Sequence, residues 1–369
     1  MEHSMFIGLD VHKATISVAV AQGERGGEVR HWGTVPHRPD HIRKLVEKLG
    51  AGGRRLHFCY EAGPCGYGLY RQLVELGHDC IVVAPSLIPV KAGDRVKTDR
   101  RDAVMLAKLH RAGELTAVWV PDAAHEAMRD LVRARATAMR VLGKARQHLQ
   151  GFLLRHGRIY PGKKGWTVAY RRWLTTVRFK HPAQQIVFQD HVDAVTDAEA
   201  RVERLTTQIA DLLPSWSLAP VVEAVQAMRG VAFIVAVTVV AEVGHFRRFD
   251  SPRQLMACLG LTPSEHSSGA SVRRGGITKD GSGLARRALI EGAWSYRMQA
   301  RVSRKLHDRL EGLPKVVRDI ARKGTAADVP PRPSPGRGRR GEGGRHHGHR
   351  TRDGRLHPGR HRRGSDAVA

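Results

Sequence analysis

Apolar and β-branched residues dominate from Met5 to Gln22, the Gly26-Gly27 pair interrupts them, and a strand-like run resumes from Glu28 to Val35. That pattern predicts a β-hairpin at the start of the chain. An amphipathic helix is expected at His41 to Leu49, then a strand at Arg55 to Glu61, a helix at Gly68 to Leu76, a strand at Cys80 to Ala84 and a helix opening near Asp99. A hairpin followed by alternating helices and strands predicts an α/β domain ending near Thr116.

Past Pro121 the pattern changes. Ala124 to Leu154 and Asp193 to Leu213 are breaker-poor amphipathic stretches and read as two long helices. Arg and Lys punctuate the first, which suits a solvated face as well as a nucleic-acid or dimerisation surface. Val221 to Gly244, bracketed by Gly230 and Gly244, resembles a helix-hairpin-helix segment that offers backbone amides to phosphate, and it reads equally as a plain buried helix. A short helix at Gln254 to Leu259 leads into a loop of Gly, Ser and cations from Pro263 to Gly283, then a helix at Leu284 to Arg297. From position 324 the chain turns to Gly, Pro, Arg and His, which cannot bury enough apolar surface to fold alone, so disorder is expected over 324–369. Such a tail reads as a basic nucleic-acid arm or as the product of a shifted frame in GC-rich DNA.

Composition sharpens the partner. The 369 residues hold 62 Lys and Arg against 35 Asp and Glu, a formal charge of +27 that favours a polyanion. The tail carries only +7 of it, so residues 1–323 keep +20. The cysteines Cys59, Cys65, Cys80 and Cys258 form no Cys-x-x-Cys pair and read as reduced thiols. The longest apolar run, Val231 to Val243, is broken by Glu242 and is too short to span a bilayer, so a cytoplasmic protein with no membrane partner is expected.

Four acids fall where metal-dependent phosphotransfer would need them. Asp10 lies inside the strand Phe6-Ile7-Gly8-Leu9-Asp10-Val11, where a lone charge requires compensation. Glu61 ends a strand beside the turn Ala62-Gly63-Pro64, the position at which open α/β sheets hold ligands. Asp99 and Asp102 stand three apart at a helix start and can face one way, although either alone also suits a cap or first-turn dipole partner. Hard cations such as Mg²⁺ or Mn²⁺ take oxygen ligands, and a pair of them can activate an attacking oxygen while stabilising a leaving one.

A second constellation follows Gly260. Ser264-Glu265-His266-Ser267-Ser268-Gly269 precedes Arg273-Arg274-Gly275-Gly276-Ile277-Thr278-Lys279. A serine nucleophile for phosphate chemistry needs an exposed hydroxyl, close backbone approach and nearby positive charge; Ser268, Gly269 and Arg273, Arg274 or Lys279 supply these. Plain phosphate binding by a serine-rich turn fits the same residues.

Met5 to Val20 with Asp10, then Tyr60-Glu61-Ala62-Gly63, then Lys97-Thr98-Asp99-Arg100-Arg101-Asp102-Ala103 together resemble the DEDD transposases of insertion-sequence family 110, the 116/110/902 group related to Piv invertases. Met228 to Trp294 resembles the second domain of that family. The resemblance implies an α/β RuvC-like (RNase H-type) domain over 5–116, a long helical or coiled-coil connector over 117–219 and a mainly α-helical serine-bearing domain over 220–323. It implies that Asp10, Glu61, Asp99 and Asp102 are catalytic ligands of Mg²⁺ or Mn²⁺, and that Ser268, with Ser267 as the fallback, is the attacking residue. Lys97, Arg100, Arg101, Arg273, Arg274 and Lys279 are expected to contact nucleic acid. The implied activity is cutting and rejoining of DNA at element ends and target through a covalent serine–DNA intermediate. A homo-oligomer, dimer or tetramer, would act with a structured guide RNA encoded by the element. Family members usually continue as a basic helical segment where this chain has its Arg/Gly/Pro tail.

Three rival readings share these residues. A Holliday-junction-resolvase-like nuclease would use the acids and water without a covalent step. An actin-like kinase is suggested by Gly8-Leu9-Asp10, but Val11-His12-Lys13 stands where its phosphate loop has glycine and threonine. A basic structural nucleic-acid binder would do no chemistry.

Overall fold

The computed structural model describes residues 4–24, 26–89, 98–269, 271–299 and 302–326. Strands β1 (Ser4–Val11), β2 (Thr15–Gln22) and β3 (Val29–Pro36) form an antiparallel meander. Helix α1 (Pro39–Gly50), strand β4 (Arg55–Glu61), helix α2 (Gly68–Glu75) and strand β5 (Asp79–Val83) complete a mixed sheet of order β3-β2-β1-β4-β5, in which β4 runs parallel to both β1 and β5. The expected hairpin is therefore three strands. Met5 to Gln22 is broken at His12–Ala14, where the His12 amide donates to the Thr15 carbonyl at 2.9 Å. No glycine or proline announces that turn, so the pattern of apolar residues hides it.

The two faces of the sheet bury different partners. Ile7, Leu9, Phe58 and Tyr60 pack with Ile42, Leu45, Leu69 and Leu73 of α1 and α2, all nearly inaccessible to solvent. Burial of each such side chain contributes about 1.5–3 kcal/mol. On the opposite face lies helix α3 (Asp99–Ala112), with Ala103 and Ala107 against Ala19 and Ala21. Gly8 permits this close approach, because a Cβ there would sit 2.2 Å from the Ala103 carbonyl oxygen and 2.4 Å from the Ala107 nitrogen.

Helix α4 (Ala123–Arg155) starts at an Asp122 cap that accepts from the His125 amide at 2.7 Å. It pairs with α6 (Pro182–Leu212), and α5 (Val168–Thr176) closes the far end over a core containing Leu149, Phe152, Tyr170 and Phe188. α6 begins 11 residues before the position expected from the sequence, with Pro182 at its first turn, and no expectation covered α5. Helices α7 (Ala219–Gln226) and α8 (Phe233–Val243) follow. Both occur in the segment expected to be either helix-hairpin-helix-like or a plain buried helix, with Gly230 between them at φ 80°. A Cβ at Gly230 would lie 2.2 Å from the Gly292 carbonyl, so that turn is fitted to the chain around Gly292.

α9 (Pro252–Cys258), the strands β6 (Pro263–Glu265) and β7 (Arg274–Ile277), and α10 (Gly283–Ala293) come next. α11 (Arg304–Leu310) and α12 (Lys315–Ala326) end the described chain. α12 runs three residues into the stretch expected to be disordered, and 327–369 lie outside the described residues. Among the described residues no helix is long and apolar enough to cross a membrane.

Candidate functional site

The acids converge because of the sheet register. β1 and β4 pair in parallel up to Leu9 opposite Tyr60, so Asp10 and Glu61 are the next residues at the carboxyl ends of adjacent strands. Both alternate onto the α3 face, since Asp10 is two residues from Gly8 and Glu61 two residues from Cys59, which packs against Leu106 of α3. The N-terminus of α3 then overhangs these strand ends. Its cap is Thr98, whose hydroxyl accepts from the Arg101 amide at 3.3 Å. The Asp99 carboxylate is thus not consumed as the cap and remains two-thirds exposed.

Ligand atoms of Asp10, His12 and Asp99 all lie within 4.8 Å of one another. His12 Nε2 stands between the carboxylates, 3.2 Å from Asp10 Oδ2 and 3.4 Å from Asp99 Oδ2. Burial pushes the Asp10 carboxyl above its ordinary pKa; the charges of Asp99 and Asp102 push the same way, and His12 opposes them. Asp102 is thereby close enough for its charge to be felt at Asp10, yet neither Asp102 nor Glu61 belongs to the 4.8 Å group. Of the four acids singled out in the sequence, Asp10 and Asp99 sit in that group, Asp102 acts on Asp10 through its charge, and Glu61 ends the strand that pairs with β1.

His12 is the residue that sequence reasoning passed over. In the sequence it stands only where a kinase phosphate loop carries glycine or threonine. Its signal was available, a histidine two positions beyond the strand aspartate, but it means nothing until the three-residue turn is known to fold it back. The His37 ring, through Nδ1, lies 2.8 Å from the His12 carbonyl and steadies the turn from β3.

The donor chemistry fits a divalent cation. Two carboxylates crowd around one point at the carboxyl end of β1, a third raises the local negative field, and Glu61 ends the neighbouring strand β4. Carboxylate oxygens suit Mg²⁺ and Mn²⁺ alike, while the imidazole is a more natural neighbour for a transition metal.

The serine loop is a β-ladder. β6 and β7 pair antiparallel, and beyond them Ser268 and Ser271 exchange backbone hydrogen bonds at 3.0 and 3.1 Å. The Ser267 hydroxyl donates to Glu265 Oε1 at 2.7 Å and accepts from the Arg273 amide at 3.2 Å. Arg274 Nε donates to Glu265 Oε2 at 3.2 Å. The Ser268 side chain is exposed and makes no hydrogen bond among the described residues, and Gly269 after it takes φ 58°. Arg273, Arg274 and Lys279 are exposed on the same hairpin. Its base is held by Arg286, which donates to the Leu259 and Asp280 carbonyls at 2.7 and 2.8 Å. Arg100 and Arg101 are exposed on the first turn of α3, whereas Lys97 lies outside the described residues.

Comparison with known proteins meets this geometry from both ends of the chain. A transposase profile of the DEDD type from insertion sequence 110 matches residues 7–157, and the profile described as Transposase IS116/IS110/IS902 family matches residues 222–308. The transposase for insertion sequence element IS1533 of Leptospira borgpetersenii is 32% identical over 329 residues, covering 88% of this chain and 94% of the relative. The y4qE protein of Sinorhizobium fredii is 53% identical over 316 residues, 86% of this chain and 78% of its own length. The chain belongs to the IS116/IS110/IS902 transposase family. It is accordingly a DNA-cutting and rejoining enzyme, and this family's use of divalent metal agrees with the acidic cluster at the carboxyl end of β1. The mixed sheet flanked by helices is compatible with the RuvC-like domain expected for such a transposase.

Proposed function

We propose that this transposase breaks and rejoins DNA with Ser268 as nucleophile, assisted by Asp10, Glu61, Asp99 and Asp102 around divalent Mg²⁺ or Mn²⁺ in a RuvC-like domain spanning 5–116. The observation that carries the choice of serine is the division of labour in the hairpin. Ser267 is committed to Glu265 and the Arg273 amide, while Ser268 points no hydroxyl bond at the described protein and precedes a left-handed glycine. A nucleophile must reach a phosphorus atom without breaking a structural bond first.

In this reading the Ser268 oxygen attacks a backbone phosphorus, the P–O bond to one DNA strand breaks, and the departing DNA oxygen takes up a proton as the serine loses one. The phosphoester then stores the bond energy until a strand hydroxyl displaces the serine oxygen. Arg273, Arg274 and Lys279 hold the phosphate and balance the charge that builds on it. Asp10 and Asp99 would hold the ion, with Glu61 and Asp102 adding ligands as it is drawn into the site and His12 tying the two acids together. When bound, the metal supplies Lewis-acid polarisation of the phosphate and stabilises the leaving oxygen.

The connector over 117–219 and serine-bearing domain over 220–323 belong to the same reading, as do DNA element ends and target as substrates, a structured RNA as guide and an oligomeric working form. The last two rest on the family resemblance.

Trapping the adduct tests the nucleophile. The Ser268→Ala variant, incubated with an end-labelled element junction and denatured, should give no covalent protein–DNA band, whereas Ser267→Ala should retain one. Retention in Ser268→Ala reassigns the attack. Cleavage by the wild type with no adduct under any quench would leave a metal nuclease of resolvase type instead.

A further inference from the structure

Between Asp130 and Asp190 the chain has no acidic residue, yet it holds thirteen Lys and Arg and three His. Residues 131–189 therefore carry +13 of the +20 borne by residues 1–323, in under a fifth of that length. The stretch folds as most of α4, the turn after it, α5 and the start of α6. It ends in an ordered knob, not a floppy arm: Phe152 packs at a tilt against Phe179 with ring centres 5.2 Å apart, Phe179 against Phe188 at 5.5 Å, and Tyr160 against Trp173 at 5.4 Å.

The charges on the knob are of two kinds. Arg146 and Arg171 share Glu199 at 2.7 Å each and fasten the knob to α6. Lys144, Arg155, Lys163, Lys164, Arg172 and Lys180 are exposed and form no ion pair among the described residues. Uncompensated cations at this density repel one another and lower stability unless a polyanion meets them. The rings face one another, and the Arg146 and Arg158 guanidiniums lie over Trp166 and Phe179 at 4.8 and 5.5 Å. A surface built this way offers phosphate contacts and little base stacking, which is the chemistry of sequence-independent duplex binding.

From this we infer that the knob at the end of the α4–α6 pair is a second DNA-binding surface that grips the phosphate backbone of duplex DNA away from the cleavage site. α4 leaves the sheet directly, since the Val118 amide donates to the Val82 carbonyl at 2.8 Å five residues before the helix starts. Its 33 residues extend about 50 Å, somewhat more than one turn of duplex. The knob thus meets DNA flanking the reaction centre and fixes its direction, whichever serine attacks. Residues 158–181 of the knob fall between the two matched family profiles, so no profile assigns them a role.

The test is equilibrium binding of the full chain, in EDTA to prevent cleavage, to a 40-base-pair duplex of arbitrary sequence at several salt concentrations. The triple variant Lys163→Gln, Lys164→Gln, Arg172→Gln should bind roughly tenfold or more weaker near 0.1 M salt, with the slope of log affinity against log salt shallower by about 2 to 3. A control triple on α1, Arg43→Gln, Lys44→Gln, Lys48→Gln, removes the same charge from exposed positions and should change affinity less than about threefold. Parent-like binding by the knob triple overturns the inference, and so does an equal loss in the control. A loss seen only with a folded RNA of equal length would also overturn it.

Discussion

The two candidate reaction centres are built in opposite ways. Asp10 and Glu61 are fixed by the core, at the ends of parallel strands, with a helix laid so tightly over them that only glycine fits at position 8. Ser268 is fixed by the surface, on a bridge just beyond a ladder of two short strands whose residues are nearly all exposed. The core-built centre can hold charged ligands at set positions against their mutual repulsion. The surface-built centre can bend toward a strand of DNA at small energetic cost, which suits the nucleophile proposed for Ser268. A site that concentrates charge is best placed on rigid elements, and a site that forms a transient bond is served by a hairpin hinged at its base.

The contrast can be broken at either end. If Asp10 holds the ion as proposed, Asp10→Asn should lower strand cleavage by at least about 10³-fold while leaving the fold intact, since a lost ligand costs several kcal/mol in the transition state. Near-normal cleavage of an element junction with unchanged circular dichroism would place the metal chemistry elsewhere. Gly8→Val attacks the placement rather than the ligand: its side chain must displace the backbone of α3, which should reduce unfolding free energy by about 3 kcal/mol or more and take cleavage with it. Urea denaturation with an unaltered midpoint would show that α3 has room to move.

Acid should loosen the same face first. His110 of α3 meets Phe6 edge-on at 5.2 Å, and its Nε2 is buried with no hydrogen-bond partner among the described residues. Burial, helped by the neighbouring His57, holds its pKa down to about 4 from an ordinary 6.5. The unfolded chain gains a proton below 6.5 that the folded chain refuses, so stability is complete above about 6.5 and falls as the pH drops toward 4, by roughly 2–3 kcal/mol in all. His110→Phe should remove that part of the acid sensitivity, measured as urea midpoints at pH 7 and pH 4.5; an equal acid loss in the variant rejects the assignment.

The joint between the two regions should give a smaller effect. Glu242 of α8, with its side chain 3% exposed, accepts from Arg133 of α4 at 2.7 and 2.9 Å and from the Ser282 hydroxyl at 2.9 Å. Burial raises its pKa, but the Arg133 bonds and the Ser282 hydroxyl outweigh burial and hold it below the ordinary range. Glu242→Gln should lower stability by about 2 kcal/mol, less than a fully buried pair because Arg133 is half exposed. A thermal midpoint equal to wild type would count against the joint. The least effect is expected for Gly269→Ala, where φ 58° costs a side chain about 1 kcal/mol locally: covalent attachment should slow several-fold with the melting temperature unmoved. An unchanged attachment rate would show that the turn after Ser268 does not govern its reach.

The sequence by itself determined the alternation of strands and helices through Ala112, the strand that ends on Glu61, the bounds of α4 to within a residue at each end, and the order of the acids along the chain. These follow from short-range periodicity and from caps such as Thr98 and Asp122, which local chemistry dictates. Only the tertiary structure decided the rest. The turn at His12–Ala14 has no local signal, so nothing in the sequence showed that it brings His12 between Asp10 and Asp99. The grouping of Asp10 with Asp99, and not equally with Glu61 and Asp102, depends on where α3 comes to rest, which the missing side chain of Gly8 sets. The different bonding of the two serine hydroxyls, Ser267 to Glu265 and the Arg273 amide and Ser268 to no described residue, comes from contacts made across a β-ladder and absent from any local pattern.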